Sequence, residues 1–215
     1  MSLVLESVCL ERYKTGRILS GKTKVLEDLS LEISAGENVG IIGHNGAGKS
    51  SILKMMAGIY KPTSGNVINT FKHTALATLE LGFDYELNGL DNIVLMGIII
   101  GFSYRKILMY RDEIINFSEL GDAIERPLKT YSSGMCARLA FSIIFVLEAD
   151  LILVDEVLGV GDESFRKKCE AKFEKMLLSD KTLIIVSHDA DFIQKNCNKV
   201  ITIEKGRLVN VKQVS

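Results

Sequence analysis

The chain has 215 residues, 47% hydrophobic and 25% charged, so it can bury a substantial core. Its formal net charge of −1 gives no reason to expect a nucleic-acid partner. The first residues lack the pattern of a signal peptide, and the longest apolar run, residues 93–102, is too short to span a bilayer. We interpret this run as a buried helix. The four cysteines have no paired spacing, which indicates reduced, mostly buried thiols in the cytosol.

Apolar patterning predicts an α/β fold with strands towards both ends of the chain and helices in the middle. In chain order, the predicted elements are strands at 4–10, 29–33 and 38–42, a helix at 51–57, a helix-rich stretch over about 85–145, a strand at 151–154, an amphipathic helix at 163–178, a strand at 183–186 and a hairpin at 200–209. The continuous apolar strands are typical of a parallel sheet that is covered on both faces. We therefore predict one α/β domain over residues 1–215, with an N-terminal β region and a helical insertion.

A glycine-rich loop connects the predicted strand at 38–42 to the following helix. It consists of Gly43, His44, Asn45, Gly46, Ala47, Gly48, Lys49 and Ser50, a complete phosphate-binding P-loop pattern. Its glycines let backbone N–H groups surround phosphate oxygens, and the helix presents its positive end to them. Lys49 is predicted to reach the outer phosphates of a nucleoside triphosphate, and Ser50 to offer a hydroxyl to Mg²⁺. Ser51 is assigned to the same binding set, whereas the imidazole of His44 is given no role.

Two other predicted strands end in polar residues that carry chemistry. The strand at 151–154 leads into Asp155 and Glu156, and the strand at 183–186 leads into His188. Because ligands of parallel α/β sheets bind beyond the carboxyl ends of the strands, we expect these side chains near the P-loop. Asp155 is predicted to help hold Mg²⁺, Glu156 to orient or deprotonate the attacking water, and His188 to contact the terminal phosphate or that water. Without the P-loop, the same residues would be ordinary solvent-facing strand ends.

The segment Tyr131-Ser132-Ser133-Gly134-Met135 resembles the signature of ABC-type ATPases, and Arg138 follows it within an apolar helix, as in that family. The order of the motifs also matches, from the P-loop through the signature and Asp155-Glu156 to a D-loop that ends at Asp162, and then His188. The resemblance covers essentially the whole chain. It implies a RecA-like parallel-sheet core, an N-terminal antiparallel β subdomain and a helical subdomain at about 85–145.

This resemblance also implies a head-to-tail homodimer that binds and hydrolyses ATP with Mg²⁺. Each ATP would lie between the P-loop of one subunit and the signature of the other, in which a small-residue turn opens a helix and supplies hydrogen-bond donors to the γ-phosphate. The implied contacts from the signature are Ser132, Ser133, Gly134 and Met135, and the implied catalytic residues are Lys49, Glu156 and His188. Tyr13 is similar to the aromatic residue that stacks on adenine in this family, and the alternative is an ordinary strand-end tyrosine.

A closer resemblance is to the subunits that power the export of bacterial surface polysaccharides, such as O-antigen, capsule or teichoic acid. The signature Tyr-Ser-Ser-Gly-Met, the stretch 156–169 and the segment 79–93 carry it. It implies a lipid-linked polysaccharide as the transported substrate and a polytopic permease as the partner. It also implies a peripheral location, through the permease, at the cytoplasmic face of the bacterial inner membrane.

The segment around Glu80 departs from the usual ABC pattern, which has Gln at this position. Its carboxylate is predicted to bind Mg²⁺ directly or through water, and the alternative is a surface charge that faces the permease. We expect the permease contact in a groove near Glu80–Asn92, where Phe83, Tyr85 and Leu87 could receive a short helix. The alternative is that these three side chains pack internally.

Two other classes of protein share part of this pattern. Non-transport ABC proteins of DNA repair, chromosome structure or translation usually have two ABC domains or a long coiled coil, and neither fits within 215 residues. A small GTPase would need an Asn-Lys-x-Asp motif, and residues 198–201 lack the Asp. We therefore predict an ATP-hydrolysing ABC transport subunit with no nucleic-acid partner.

Overall fold

The computed structural model describes residues 1–13, 21–77, 82–155, 162–187 and 189–214. The chain divides into two compact units. The first comprises Met1–Phe71, Leu153–Glu156 and Asp180–Ser215, and the second comprises Lys72–Ile152 and Val157–Ser179. Within the described ranges, no helix combines the length and the apolarity needed to cross a bilayer.

The predicted elements occur in the predicted order, and the structure adds two strands, at Ser64–Asn69 and Thr74–Ala77, and a helix at Ala190–Asn196 that the sequence patterns did not predict. The strands are β1 (Ser2–Tyr13), β2 (Lys22–Ser34), β3 (Asn38–Ile42), β4 (Ser64–Asn69), β5 (Thr74–Ala77), β6 (Leu151–Asp155), β7 (Thr182–Val186), β8 (Lys199–Glu204) and β9 (Arg207–Gln213). The α-helices are α1 (Lys49–Met56), α2 (Gly89–Ile100), α3 (Tyr104–Ser118), α4 (Ser133–Leu147), α5 (Glu163–Leu177) and α6 (Ala190–Asn196), and 3-10 turns lie at Gly121–Glu125 and Leu128–Thr130.

The smaller sheet contains three antiparallel strands in the order β2-β1-β4. Its apolar face is set by the alternation that the sequence predicted on β2. Leu29, Leu31 and Ile33 are buried there, and the residues between them are exposed. Side chains of a strand point alternately to the two faces of a sheet, so this spacing puts all three on the same side.

The larger sheet has the strand order β5-β6-β7-β3-β8-β9. Strand β3 is parallel to both β7 and β8, and β9 pairs antiparallel with β8 as the predicted hairpin. Every residue of β7 and the first four of β6 are buried, which confirms the prediction of strands covered on both faces.

The helices of the second unit begin at side-chain caps that satisfy free N–H groups of the first helical turn. The side chain of Asn88 accepts from the N–H of Asp91 at the start of α2, and that of Ser103 accepts from the N–H of Lys106 at the start of α3. Helix α4 begins in the same way at Ser132. From Cys136 onward nearly every residue of α4 is buried, so this helix forms the core of the unit.

The apolar run at residues 93–102 forms most of α2 and the turn after it, but the expectation that it is buried is only partly right. Ile93 and Ile100 are 0% and 5% exposed, whereas Ile98 and Ile99 are 52% and 58% exposed. An α-helix has 3.6 residues per turn, so a continuous apolar run covers its whole circumference. One side of α2 packs against the unit, and the other presents isoleucines at the surface.

Asn92 is a fully buried polar residue that fastens the preceding loop to α2. Its side-chain oxygen accepts from the N–H of Asp84 at 2.9 Å. Its amide nitrogen donates to the carbonyl oxygens of Asp84 at 2.9 Å, Asn88 at 2.8 Å and Leu87 at 3.3 Å. One buried side chain therefore contacts the backbone at both ends of the loop that carries Tyr85 and Leu87.

Replacing Asn92 by leucine should lower the free energy of unfolding by about 2–4 kcal/mol, because the N–H of Asp84 loses its acceptor and three loop carbonyls each lose one of their two donors. Urea unfolding followed by circular dichroism measures this change. The same substitution at Asn116, which is exposed on α3, is the control and should change stability by less than about 0.5 kcal/mol. Equal stabilities of the two variants would contradict a structural role for Asn92.

Candidate functional site

The predicted P-loop lies between β3 and α1, in the context that the motif requires. Gly48 precedes the first residue of α1 and has a left-handed backbone, with φ +105°. A Cβ atom at this position would lie 2.8 Å from Cδ2 of Leu26 and 3.1 Å from the carbonyl oxygen of Val25. Both the backbone conformation and the close approach of β2 therefore require glycine here.

Lys49 is nearly buried, with 6% of its surface exposed. Its ammonium donates to the carbonyl oxygens of Gly43 at 2.7 Å and His44 at 3.1 Å. A buried ammonium is costly unless it is hydrogen-bonded, so these two contacts hold the loop around the lysine. The side chain thus places a positive charge inside the curve of the loop.

A cavity of about 480 Å³ opens beside the P-loop. Its lining residues are Val25, Asn45, Gly46, Gly48, Lys49, Ser50, Ser51 and Asp155. The structure therefore brings together most of the predicted loop residues and the acidic residue at the end of β6. The volume is within the range of small-molecule sites. The other loop residues do not line the cavity. The carbonyl groups of Gly43 and His44 accept from Lys49, and Ala47 is buried.

Two residues that the sequence analysis missed contribute to this region. Val25 of β2 adds an apolar side chain to the cavity. Gly206, in the β8–β9 turn, donates its N–H to the carbonyl oxygen of Ala47 at 3.0 Å, and its own carbonyl accepts from the N–H of Glu27 at 2.9 Å. The turn therefore joins the P-loop to β2. No motif marks either residue, because each comes from a segment distant in sequence.

The donor atoms in the cavity are suited to a hard divalent cation. Ser50 offers a hydroxyl and Asp155 a carboxylate, and Mg²⁺ in phosphate-transfer sites takes one or two protein oxygens together with phosphate oxygens and water. Among the described residues, no group of three His, Cys, Asp or Glu side chains could hold a metal ion alone. The residues present therefore fit Mg²⁺ that the protein and a nucleotide hold jointly.

The signature residues open α4 in the second unit. Ser132 and Ser133 are exposed, and the hydroxyl oxygen of Ser132 accepts from the N–H of Met135 at 3.2 Å. The hydroxyl of Tyr131 donates to the carbonyl oxygen of Ala123 at 2.7 Å, and burial raises the pKa of Tyr131, which favours the donating form. This bond anchors the start of the signature to a 3-10 turn. The small-residue turn at a helix start is thus present as predicted.

Several predicted site residues lie outside the described part of the chain. These are Glu80, Glu156 and His188 and, for its side chain, Tyr13, whose backbone ends β1. Their roles stay predictions. Asp162, where the predicted D-loop ends, is described and caps α5 by accepting from the N–H of Phe165.

A P-loop between a strand and a helix, with an acidic residue beside it, defines a nucleotide-binding protein of the P-loop class. The family model described as "ABC transporter" matches residues 26–159, and the chain belongs to this family. It is 40% identical over 193 residues to the O-antigen export system ATP-binding protein RfbB of Klebsiella pneumoniae, covering 89% of this chain and 78% of the relative. The predicted family, and the resemblance to polysaccharide-export subunits, are confirmed.

Other relatives are longer than this chain. It is 37% identical to the ABC transporter protein AbcA of Aeromonas salmonicida, covering 86% of this chain but 60% of AbcA. It covers 44% of the O-antigen export system ATP-binding protein RfbB of Myxococcus xanthus, at 41% identity. Among solved structures, a dimeric ATP-binding cassette in a post-hydrolysis state with ADP and Pi has a TM-score of 0.78 at 21% identity, covering 99% of both chains. This likeness confirms the predicted fold class.

Replacing Gly206 by alanine should destabilise the protein more than the same change at Gly58. Both glycines have left-handed backbones, with φ +79° and +76°, so both variants bear a similar conformational cost of about 1 kcal/mol. A Cβ at Gly206 would lie 2.3 Å from the carbonyl oxygen of Val25, whereas nothing lies within 4 Å of one at Gly58. The overpacking should cost about a further 1–3 kcal/mol.

Thermal unfolding of the two variants measures this difference, and a fluorescent ATP analogue reports the P-loop. Affinity for the analogue should fall in Gly206→Ala, because the shifted turn carries the N–H that holds Ala47. Gly58→Ala should bind as the wild type does. Equal melting temperatures of the two variants would rule out the close approach as the reason for glycine at position 206.

Proposed function

We propose that this chain is the ATP-binding and ATP-hydrolysing subunit of an ABC transporter that powers export of a lipid-linked polysaccharide across the bacterial inner membrane. The observation that carries the proposal is the cavity in which Lys49, Ser50 and Asp155 converge beside the P-loop. The names of the relatives, which are O-antigen export ATP-binding proteins, support the transported substrate class.

In this proposal the P-loop residues Gly43–Ser51 bind the triphosphate of ATP. Backbone N–H groups of the loop and the start of α1 face the phosphate oxygens, and Lys49 neutralises the outer phosphates. The ammonium exchanges one or both loop carbonyls for phosphate oxygens when the nucleotide enters. Val25 supplies an apolar wall on the same cavity, and Tyr13 stacks on the adenine.

Mg²⁺ would be held by Ser50 and Asp155, with Glu80 as a further direct or water-bridged ligand. When bound, the ion neutralises charge on the β- and γ-phosphates. Glu156 follows Asp155 directly in sequence and would orient or deprotonate the attacking water. His188 would contact the terminal phosphate or that water.

The signature would act in a second subunit of a homodimer. Ser132, Ser133 and Gly134, with Met135, open α4 at an exposed helix start, and such a start favours an anion. The γ-phosphate of an ATP bound to the partner's P-loop is the proposed anion. A related cassette has been solved as a dimer, which supports this arrangement.

The test of the hydrolytic role is Glu156→Gln. This variant should lose at least about 100-fold of its ATP turnover, because the water loses its base, and should still bind ATP. With ATP and Mg²⁺ it should elute as a dimer in size-exclusion chromatography. Glu163→Gln, an exposed position on α5 paired with Lys167 at 2.8 Å, is the control and should turn over ATP normally. Turnover at the wild-type rate by Glu156→Gln would defeat the assignment.

We further propose that the chain reaches the membrane through a permease that contacts the loop before α2. Tyr85 and Leu87 are 47% and 37% exposed, and Phe83 is half-buried, so two of the three predicted contact residues are available at the surface. The buried Asn92 holds this loop in place. A preformed loop with exposed aromatic and aliphatic side chains is suited to receive a short helix.

Fractionation of cells tests this partner. The chain should sediment with membranes only when its cognate permease is co-expressed, and in the double variant Tyr85→Ala/Leu87→Ala its co-purification with the permease should fall by about tenfold or more. Ile68→Ala, at an exposed apolar position on β4 of the first unit, is the matched control and should leave it unchanged. Membrane association without any permease would refute the proposal.

A further inference from the structure

Helices α4 and α5 of the second unit pack side by side and are joined by two ion pairs. Arg138 of α4 pairs with Asp162 at the start of α5, and Glu148 at the end of α4 pairs with Lys172 of α5 at 2.7 Å. In each pair the two residues are 24 positions apart in sequence. The helices therefore run parallel in one register, and the two pairs are separated by about 15 Å along them.

The two pairs differ in the number of contacts that their cations make. The side chain of Arg138 is 17% exposed, and its guanidinium also pairs with Glu119 at 3.3 Å and lies 4.9 Å from the ring centre of Phe165. Phe165 is fully buried, so its ring is a fixed neighbour of the guanidinium. Arg138 is thus held on three sides, by two carboxylates and an aromatic face.

Asp162 uses its two carboxylate oxygens for different contacts. Oδ1 accepts from the N–H of Phe165 at 2.9 Å and caps α5, while Oδ2 pairs with Arg138. The N–H of Phe165 first, and then the charge of Arg138, lower the pKa of Asp162, so the carboxylate is ionised at neutral pH. The first turn of α5 is therefore positioned from α4 through one carboxylate.

Each residue of this pair follows, in sequence, a segment that contributes residues to the proposed ATP site. Arg138 lies in the first two turns of α4, directly after the signature at Ser132–Met135. Asp162 is the residue at which the connection from Asp155 and Glu156 enters α5. We propose that Arg138 is a positioning residue for ATP hydrolysis, which ties the end of that connection to the signature helix. This inference rests on the proposed ATPase function.

A purely structural role would make the two ion pairs equivalent. Both join α4 to α5, and Lys172–Glu148 lies at the end of α4 that is far from the signature. Glu119 keeps Lys168 as a partner at 2.8 Å when Arg138 is removed, so its charge stays compensated. Of the two carboxylates, only Asp162 therefore loses its ion-pair partner among the described contacts when Arg138 is replaced.

The experiment compares steady-state ATP hydrolysis of Arg138→Gln, Asp162→Asn and Lys172→Gln. Asn at position 162 keeps an oxygen that can cap α5 but loses the charge that binds Arg138. We expect Arg138→Gln and Asp162→Asn each to lower kcat by about tenfold, with KM for ATP changed less than about twofold. The double variant should be no worse than either single one, because both remove the same interaction. Arg138→Lys should restore part of kcat, and Lys172→Gln should hydrolyse ATP as the wild type does.

Three results would overturn the positioning role. They are a kcat of Arg138→Gln within about twofold of the wild type, equal losses in Arg138→Gln and Lys172→Gln, or multiplicative losses in the double variant. A wild-type protein that binds but does not hydrolyse ATP would instead refute the proposed function. In that case amide hydrogen exchange still decides whether Arg138 anchors α5. Faster exchange at the Phe165 N–H in Arg138→Gln than in Lys172→Gln supports the anchor, and equal exchange removes it.

Discussion

The burial of one ammonium group, that of Lys49, is the constraint on which the proposed nucleotide site depends. Only 6% of the surface of Lys49 is exposed, so its ammonium needs hydrogen-bond acceptors from the protein. It donates to two carbonyl groups of its own loop, at 2.7 and 3.1 Å. These two contacts hold the loop curled around the lysine. The same ammonium is suited to bind the phosphates of a triphosphate. One side chain would therefore both stabilise the fold of the loop and bind the nucleotide.

Neighbouring segments keep the loop in this shape. Gly48 lets β2 approach within contact distance at the start of α1. Gly206 brings the β8–β9 turn against both Ala47 and Glu27 through backbone hydrogen bonds. Main-chain contacts of this kind leave little room for adjustment, because interiors are close-packed and a single added methyl group must displace backbone atoms. These contacts fix the backbone of the P-loop within the first unit.

The second unit combines a buried apolar helix, α4, with charged and aromatic side chains around it. Lys168 lies 4.5 Å from the ring centre of Phe117, and Arg138 lies 4.9 Å from that of Phe165. Such cation–π contacts contribute about 0.5–1 kcal/mol each at partly exposed positions. The unit also exposes large apolar side chains, among them Ile99 at 58% and Met109 at 75%.

Local sequence determined the backbone plan and the residues with a motif. The P-loop, the apolar strands β3, β6 and β7, and the β8–β9 hairpin all follow from spacing and periodicity over a few residues, whereas the helix start at the signature was implied by the family resemblance. Such patterns act through the chain's own φ/ψ preferences and alternation, which is why they can be read without a neighbour.

Contacts between distant segments were decided only by the tertiary structure. Val25 enters the cavity and Gly206 closes against β2 because the sheets bring segments from opposite ends of the chain together. The exposure of Ile98 and Ile99 depends on which side of α2 packs against the rest of the unit. A continuous apolar run does not indicate which side of the helix will be buried. The pairing of Arg138 with Asp162 required α4 and α5 to lie parallel in one register, a property of packing that no local pattern encodes.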